Sequence, residues 1–151
     1  MNIYSLFKTD AGLEKDGIWI EYGTDGEKAM RIRIARAGGK NTEFSKALEK
    51  ATKPYRKQIQ SGMLDDGTAD KLYKNVFADK VVLGWENISG PDGKEMKFTK
   101  ENVLKLFEDL PDLFQDLREQ STNSTLFREE VREADLGNSG KSSAMASNKD
   151  Q

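Results

Sequence analysis

Residues 81–114 read VVLGWENISGPDGKEMKFTKENVLKLFEDLPDLF, and this stretch decides the fold. An apolar run ending at Trp85 comes first, and we expect this large aromatic side chain to be buried. A turn follows at residues 89–93, where Pro fixes one dihedral angle and the glycines reach conformations that other residues avoid. Thr99 can then cap a helix, since its hydroxyl can accept a hydrogen bond from the first turn. The order predicts two short extended pieces, a turn and an amphipathic helix.

Pro111 divides the helical pattern into two predicted helices, residues 100–109 and 111–120. Proline lacks a backbone N–H and fits the first turn of a helix, so the second helix begins there at an angle. The apolar stripe of both helices has three-and-four spacing and comprises Val103, Leu104, Phe107, Leu110, Phe114 and Leu117. A last short helix is predicted from a further apolar group, Leu126, Phe127 and Val131.

Two more helices are predicted before this stretch from apolar residues at the same spacing. The first covers residues 41–60 and should break just before Pro54, because proline removes a helical hydrogen bond. The second should reach toward Leu83. Residues 81–83 are rich in β-branched side chains and also suit a short strand, so the end of this helix stays open.

Residues 17–36 have the alternating pattern of a β-hairpin with a turn at residues 23–26. One face is apolar, whereas the other is basic and carries Arg31, Arg33 and Arg36. A basic two-stranded ribbon can enter the major groove of DNA, but a charged face is more often simply solvated. The acidic residues among these strands favour the solvated interpretation.

The predicted fold class is α+β and mainly α-helical: an N-terminal β-hairpin followed by a compact bundle of four to five helices and a disordered C-terminal tail. We expect a single domain over residues 1–134, with the hairpin at 17–36 and the helical part at 41–134. Residues 135–151 are small and polar, a composition typical of disorder.

The chain has no Cys and no His among its 151 residues. This excludes disulfides, thiolate chemistry and the commonest zinc ligands and general bases. Residues 140–142 read Gly-Lys-Ser, the end of a phosphate-binding loop, but the required earlier glycine is replaced by Asp135. The carboxylates at 108, 109, 112 and 116 have the spacing of a solvated helix face. We expect no catalytic residue, cofactor or metal, and therefore no enzyme.

Charge is unevenly distributed along the chain. Residues 1–60 hold 12 basic and 8 acidic side chains, and residues 61–134 hold 10 basic and 16 acidic ones. A basic half can serve an acidic partner, a neighbouring copy or solubility. The first residues lack the basic and apolar regions of a secretion signal, and no apolar run is long enough to span a membrane. We therefore expect the protein to stay in the compartment where it is made.

The order of the motifs resembles the tail assembly chaperones of long-tailed, siphovirus-type phages. The resemblance covers roughly residues 40–120. Its motifs are Pro54-Tyr55-Arg56, Gln58-Ile59-Gln60, the predicted helix at 69–77, residues 81–87, Asp92-Gly93, Phe98-Thr99 and residues 107–114. The family is short, mainly helical and without catalytic residues.

The resemblance implies a chaperone that binds and solubilises the tape measure protein and is displaced as tail tube subunits polymerise. The tail tube protein would be a second partner. It would be recruited by the C-terminal extension of a longer form, which arises by ribosomal frameshifting near the end of the chain. Self-association is compatible with this function, whereas nucleic acid and membrane partners are not expected. The protein would act in the host cell cytoplasm and be absent from the mature virion.

The candidate partner-binding residues are those of the terminal amphipathic segments, Leu113, Phe114, Leu117, Leu126 and Phe127. Such segments are the most easily freed for helix-in-groove contacts. Two alternatives remain open: a small nucleic-acid-binding regulator that uses the basic hairpin, and a structural subunit of the tail or of head completion.

Overall fold

The computed structural model describes residues 2–128, which form seven α-helices, three strands and two short 3₁₀ turns. The helices are α1 (Ile3–Phe7), α2 (Ala11–Asp16), α3 (Thr42–Thr52), α4 (Arg56–Gln60), α5 (Asp66–Lys80), α6 (Lys100–Asp109) and α7 (Pro111–Thr122). The strands are β1 (Ile18–Asp25), β2 (Lys28–Ile34) and β3 (Val82–Glu86). The predicted tail at 135–151, the Gly-Lys-Ser motif at 140–142 and Val131 lie outside the described residues.

The predicted hairpin is confirmed. Strands β1 and β2 pair antiparallel, with Ile18 opposite Ile34 and Ile20 opposite Ile32, so the apolar side chains share one face. The connecting turn lies at residues 26–27 rather than 23–26, because β1 continues through a bulge between Glu21 and Thr24. The hairpin therefore presents an apolar face to the helices and a polar face to solvent.

The strand β3 corrects the expectation that the second helix reaches Leu83. Helix α5 ends at Lys80, and β3 pairs antiparallel with β2 to complete a sheet of order β1-β2-β3. The backbone N–H of Ala35 donates to the carbonyl of Val81 at 2.8 Å. The chain is therefore hydrogen-bonded to the residue that follows β2 at the first residue after the helix. Strand pairing thus decided between the two local preferences of residues 81–83.

Pro54 and Pro111 break the helical pattern where the sequence predicts. A 3₁₀ turn over Lys53–Tyr55 separates α3 from α4. Pro111 is the first residue of α7, which follows α6 after the single residue Leu110. Thr99 caps α6, since its hydroxyl accepts from the backbone N–H of Asn102 at 3.1 Å.

The core lies between the sheet and the helices, and a group of aromatic rings forms its centre. Phe77 on α5 is fully buried, and its ring centroid lies 5.9 Å from that of Phe107 and 5.4 Å from that of Phe114. Tyr73 extends the group by contacting Phe44 on α3 at 6.0 Å. These edge-to-face contacts join four helices, and Ile32 and Ile34 bring the sheet to the same cluster. The helices pack on a sheet rather than only on one another.

Leu110 departs from the predicted apolar stripe. Its side chain is 49% exposed, and Leu106 is buried on the same helix instead. The reason is that α6 ends at Asp109 and Leu110 has a non-helical backbone, so this residue no longer follows the helical spacing of the stripe.

Helices α1 and α2, which the sequence analysis did not predict, bring the two ends of the described chain together. The backbone N–H of Asp10 donates to the carbonyl of Phe127 at 2.8 Å, and Thr9 forms a β-bridge with Arg128. Phe127 lies in the second 3₁₀ turn, Ser124–Phe127, and is fully buried.

We predict that Phe77→Ala lowers the free energy of unfolding by about 3–5 kcal/mol, because it leaves a cavity among the surrounding rings. Phe7→Ala is the matched control: Phe7 is 62% exposed, and its loss should cost less than about 1 kcal/mol. Urea denaturation followed by circular dichroism measures both. Equal losses would contradict the central position of Phe77.

A second prediction concerns alkaline pH. The Tyr22 hydroxyl donates to a carboxylate oxygen of Asp116 at 2.5 Å, and burial together with this acidic partner raises the pKa of Tyr22 above its ordinary value. The unfolded chain therefore loses this proton first, so stability is complete below about pH 10 and falls as pH rises further. In urea denaturation between about pH 9 and 11, Tyr22→Phe should lose less stability than the unmodified protein. Parallel decreases would refute this contribution.

Candidate partner-binding surfaces

The predicted partner-binding residues of α7 face the core. Phe114 is 6% exposed and Leu117 is fully buried, while Leu113 is half-buried and packs against the core cluster. A partner could reach Phe114 and Leu117 only if α7 left the core, and that would disrupt the ring cluster. Substitution of Phe114 or Leu117 by a polar residue should therefore unfold the protein. The partner role of these residues stays a prediction.

The other two candidates, Leu126 and Phe127, lie in the last 3₁₀ turn. Phe127 is fully buried beneath the N-terminal segment, whereas Leu126 is half-buried. The backbone bond from Asp10 to Phe127 fixes this turn against the start of α2. Phe127 therefore joins the two ends of the described chain, and only Leu126 retains partial exposure.

Arg31 and Arg33 lie on the outer face of the sheet, as the alternation predicts, and both flank Trp19. The guanidinium carbon of Arg31 is 4.3 Å from the Trp19 ring centroid, and that of Arg33 is 5.8 Å away. Arg31 also forms an ion pair with Glu86 on β3 at 2.5 Å. Much of the positive charge of this face is therefore balanced by the sheet itself.

Arg36 does not share that face. Its guanidinium forms an ion pair with Glu14 of α2, whose side chain is fully buried. The hydroxyl of Thr9 and the backbone N–H of Lys40 also donate to this carboxylate, at 3.3 and 3.4 Å. Gly39 approaches so closely that a Cβ atom there would collide with the Glu14 carboxylate and the Arg36 side chain. Arg36 therefore holds α2 against the end of the hairpin.

Helix α1 presents the densest group of exposed apolar side chains in the described part of the chain. Its members are Ile3, Tyr4, Leu6 and Phe7, which are 62%, 77%, 41% and 62% exposed. A capping box formed by Asn2 and Ser5 fixes the start of the helix, and Arg128 lies 5.2 Å from the Phe7 ring. We call these four residues the α1 apolar surface. The sequence analysis missed it, although four large apolar residues within five positions were a visible signal.

A metal-binding cluster and a membrane-spanning helix are both absent from the described residues. Within residues 2–128, no group of three or more acidic side chains is arranged to hold a metal ion. In the same part of the chain, no helix is both long and apolar enough to cross a membrane. An apolar helix on a charged protein suits the binding of another macromolecule.

Comparison with known proteins yields one family. A family model described as "YdaY prophage protein" matches residues 39–138, about two thirds of the chain. The matched range begins after the hairpin and contains the described helices α3–α7 and strand β3. Neither the curated proteins nor the solved structures include a match to this chain.

The buried ion pair gives a third prediction. Glu14→Ala should lower the free energy of unfolding by about 3–5 kcal/mol, since it removes one partner of a buried, hydrogen-bonded pair. Glu21→Ala is the control, because Glu21 is exposed on β1 and should matter by less than about 0.5 kcal/mol. Urea denaturation at neutral pH measures the difference. A Glu14 variant as stable as the control would contradict the structural role of this pair.

Proposed function

The chain belongs to the family of YdaY prophage proteins and is therefore phage-derived, and on this premise we propose that it is a tail assembly chaperone of a long-tailed phage. Its client would be the tape measure protein, which it would keep soluble until tail tube subunits polymerise around it. The observation that carries the proposal is the order of the motifs in residues 54–114. All of them lie inside the range that the family model matches.

The α1 apolar surface supplies the structural support for client binding. A client without its tube would expose apolar helix faces, and such surfaces aggregate unless they are covered. Helices α3, α5, α6 and α7, in contrast, direct large apolar residues into the core. Helix α1 has no buried residue, so its side chains are available without unfolding the domain.

The size of this surface fits a transient complex. Complete burial of a large apolar side chain contributes roughly 1.5–3 kcal/mol, and the four residues of α1 are already partly covered. Ordering and association costs offset much of this gain, so one copy should bind weakly. Many copies on one long client would still protect it, and tube subunits could displace them individually.

The proposed chaperone has two protein partners and acts in one compartment. The client is the tape measure protein, and the tail tube protein competes for it or is recruited by a longer form of this chain. The chaperone acts in the host cell cytoplasm without catalysis or a cofactor, and it leaves before the virion is complete. Displacement by the tube requires no nucleotide, because the competing subunits supply the free energy.

The arginine face bears on the alternative of a nucleic-acid-binding regulator. Arg33 has a buried Nε atom with no hydrogen-bond partner, beside the half-exposed ring of Trp19. Arg31, however, is paired with Glu86, and Glu21 lies opposite Arg31 in the sheet. The acidic side chains weaken the field that nucleic acid binding requires. We therefore favour the chaperone over the regulator.

The fourth prediction tests client binding. Co-expression with the tape measure protein of the same prophage should make that protein soluble, and the two should co-purify. The variant Tyr4→Ser/Phe7→Ser should reduce the soluble client at least about fivefold, since it removes about half of the apolar surface of α1. Quantitative gel analysis of the soluble fraction measures this effect.

The matched control is Ile59→Ser/Met63→Ser, which removes two exposed apolar side chains outside α1. It should leave solubilisation intact, and both variants should keep the circular dichroism spectrum of the unmodified protein. A client that stays insoluble with the unmodified protein would overturn the chaperone proposal. A client solubilised equally by both variants would overturn the assignment to α1.

A further inference from the structure

Helices α3 and α4 carry a stripe of lysines with no acidic partner in the described part of the chain. Lys46, Lys50, Lys53 and Lys57 follow one another at steps of four, three and four residues, and all are exposed. None forms an ion pair within residues 2–128. The exposed Pro54 lies along the stripe, in the 3₁₀ turn between the end of α3 and the start of α4. We call these four lysines the basic face.

Helices α6 and α7 carry exposed carboxylates of the opposite charge. Glu101 and Glu108 lie seven residues apart on α6, and Asp112 and Glu119 lie seven residues apart on α7. All four are exposed, and none forms an ion pair within residues 2–128. The half-exposed Leu110 lies at the break between the two helices. We call these four carboxylates the acidic face.

The two faces are opposite in charge and have one spacing in common. Seven residues are two turns of a helix, about 10.5 Å, and the basic face has this spacing from Lys46 to Lys53. Each face extends along two consecutive helices, and a proline lies at or next to the break between them. They do not neutralise each other within one molecule. Helix α5 packs on α3 through Tyr73 and on α6 and α7 through Phe77.

We propose that the basic face of one molecule docks on the acidic face of a second copy. The ligand of the basic face is thus another copy of this chain, recognised by four carboxylates around Leu110. Such a contact joins two different surfaces, so each copy keeps one face free and further copies can add head to tail.

Nucleic acid is a less suitable occupant of the basic face. A nucleic acid is attracted by the field of a strongly basic protein, whereas this chain has a formal net charge of −2 at pH 7. A surface of exposed carboxylates, in contrast, is present on every copy of the chain. The proposal does not rest on the chaperone function, because it concerns the purified protein alone.

Surface ion pairs are individually weak, so the contact should form only at low ionic strength. Sedimentation velocity should show oligomers that grow with protein concentration at about 20 mM salt and dissociate at about 500 mM salt, where charges are strongly screened. Lys50→Glu/Lys53→Glu should weaken this association at least about tenfold, because two attractions become repulsions. Glu108→Lys/Asp112→Lys should do the same.

A mixture of the two reversed variants gives the most specific test. Each is repelled by its own copies, but the new acidic face of one fits the new basic face of the other, so mixing should restore the oligomers. Lys28→Glu/Lys94→Glu is the control, since it changes net charge as much as the lysine variant at exposed positions outside both faces. Circular dichroism should show that all variants remain folded.

Three results would overturn the proposal. The unmodified protein would remain monomeric at low salt, the control would dissociate as completely as the reversed variants, or mixing would fail to restore association. Salt-sensitive DNA binding by a monomer through these lysines would replace it with a nucleic-acid surface. None of these results would alter the test of client solubilisation by the α1 apolar surface.

Discussion

Burial of the aromatic rings around Phe77 is the constraint on which the rest of the structure depends. Phe77 is fully buried, contacts Phe107 and Phe114 and lies on the helix that leads directly into β3. Because α6 and α7 both pack on Phe77, the break at Pro111 has to bring the rings of Phe107 and Phe114 against this one side chain. This requirement commits the largest apolar residues of α7 to the core and leaves Leu110 outside.

Local sequence signals predicted the elements that depend on neighbouring residues. The hairpin follows from strict alternation, and the breaks at Pro54 and Pro111 follow from the missing backbone N–H. The strand β3 was only one of two possibilities, because its stability comes from pairing with β2, some fifty residues earlier. Long-range pairing of this kind has no local signature.

The contact surfaces were harder to predict than the fold. Leu117 and Phe127 have the pattern of an exposed amphipathic segment, but burial depends on what packs against them, and a single sequence does not show this. Arg36 was assigned to the basic face although it lies three residues after Arg33, out of step with the alternation of a strand, and its side chain is held by Glu14 from a helix that was not predicted. The exposed α1, in contrast, was visible as four apolar residues within five positions.

Apolar residues that hold the fold are distinct from those available to a client, and hydrogen exchange of the chain alone and bound to the tape measure protein tests this separation most directly. We expect binding to slow exchange of the amides in residues 3–8 around α1, while the amides of α7 exchange at unchanged rates. Faster or altered exchange throughout α7, with no change in α1, would show that α7 leaves the core to bind the client, and it would contradict the account.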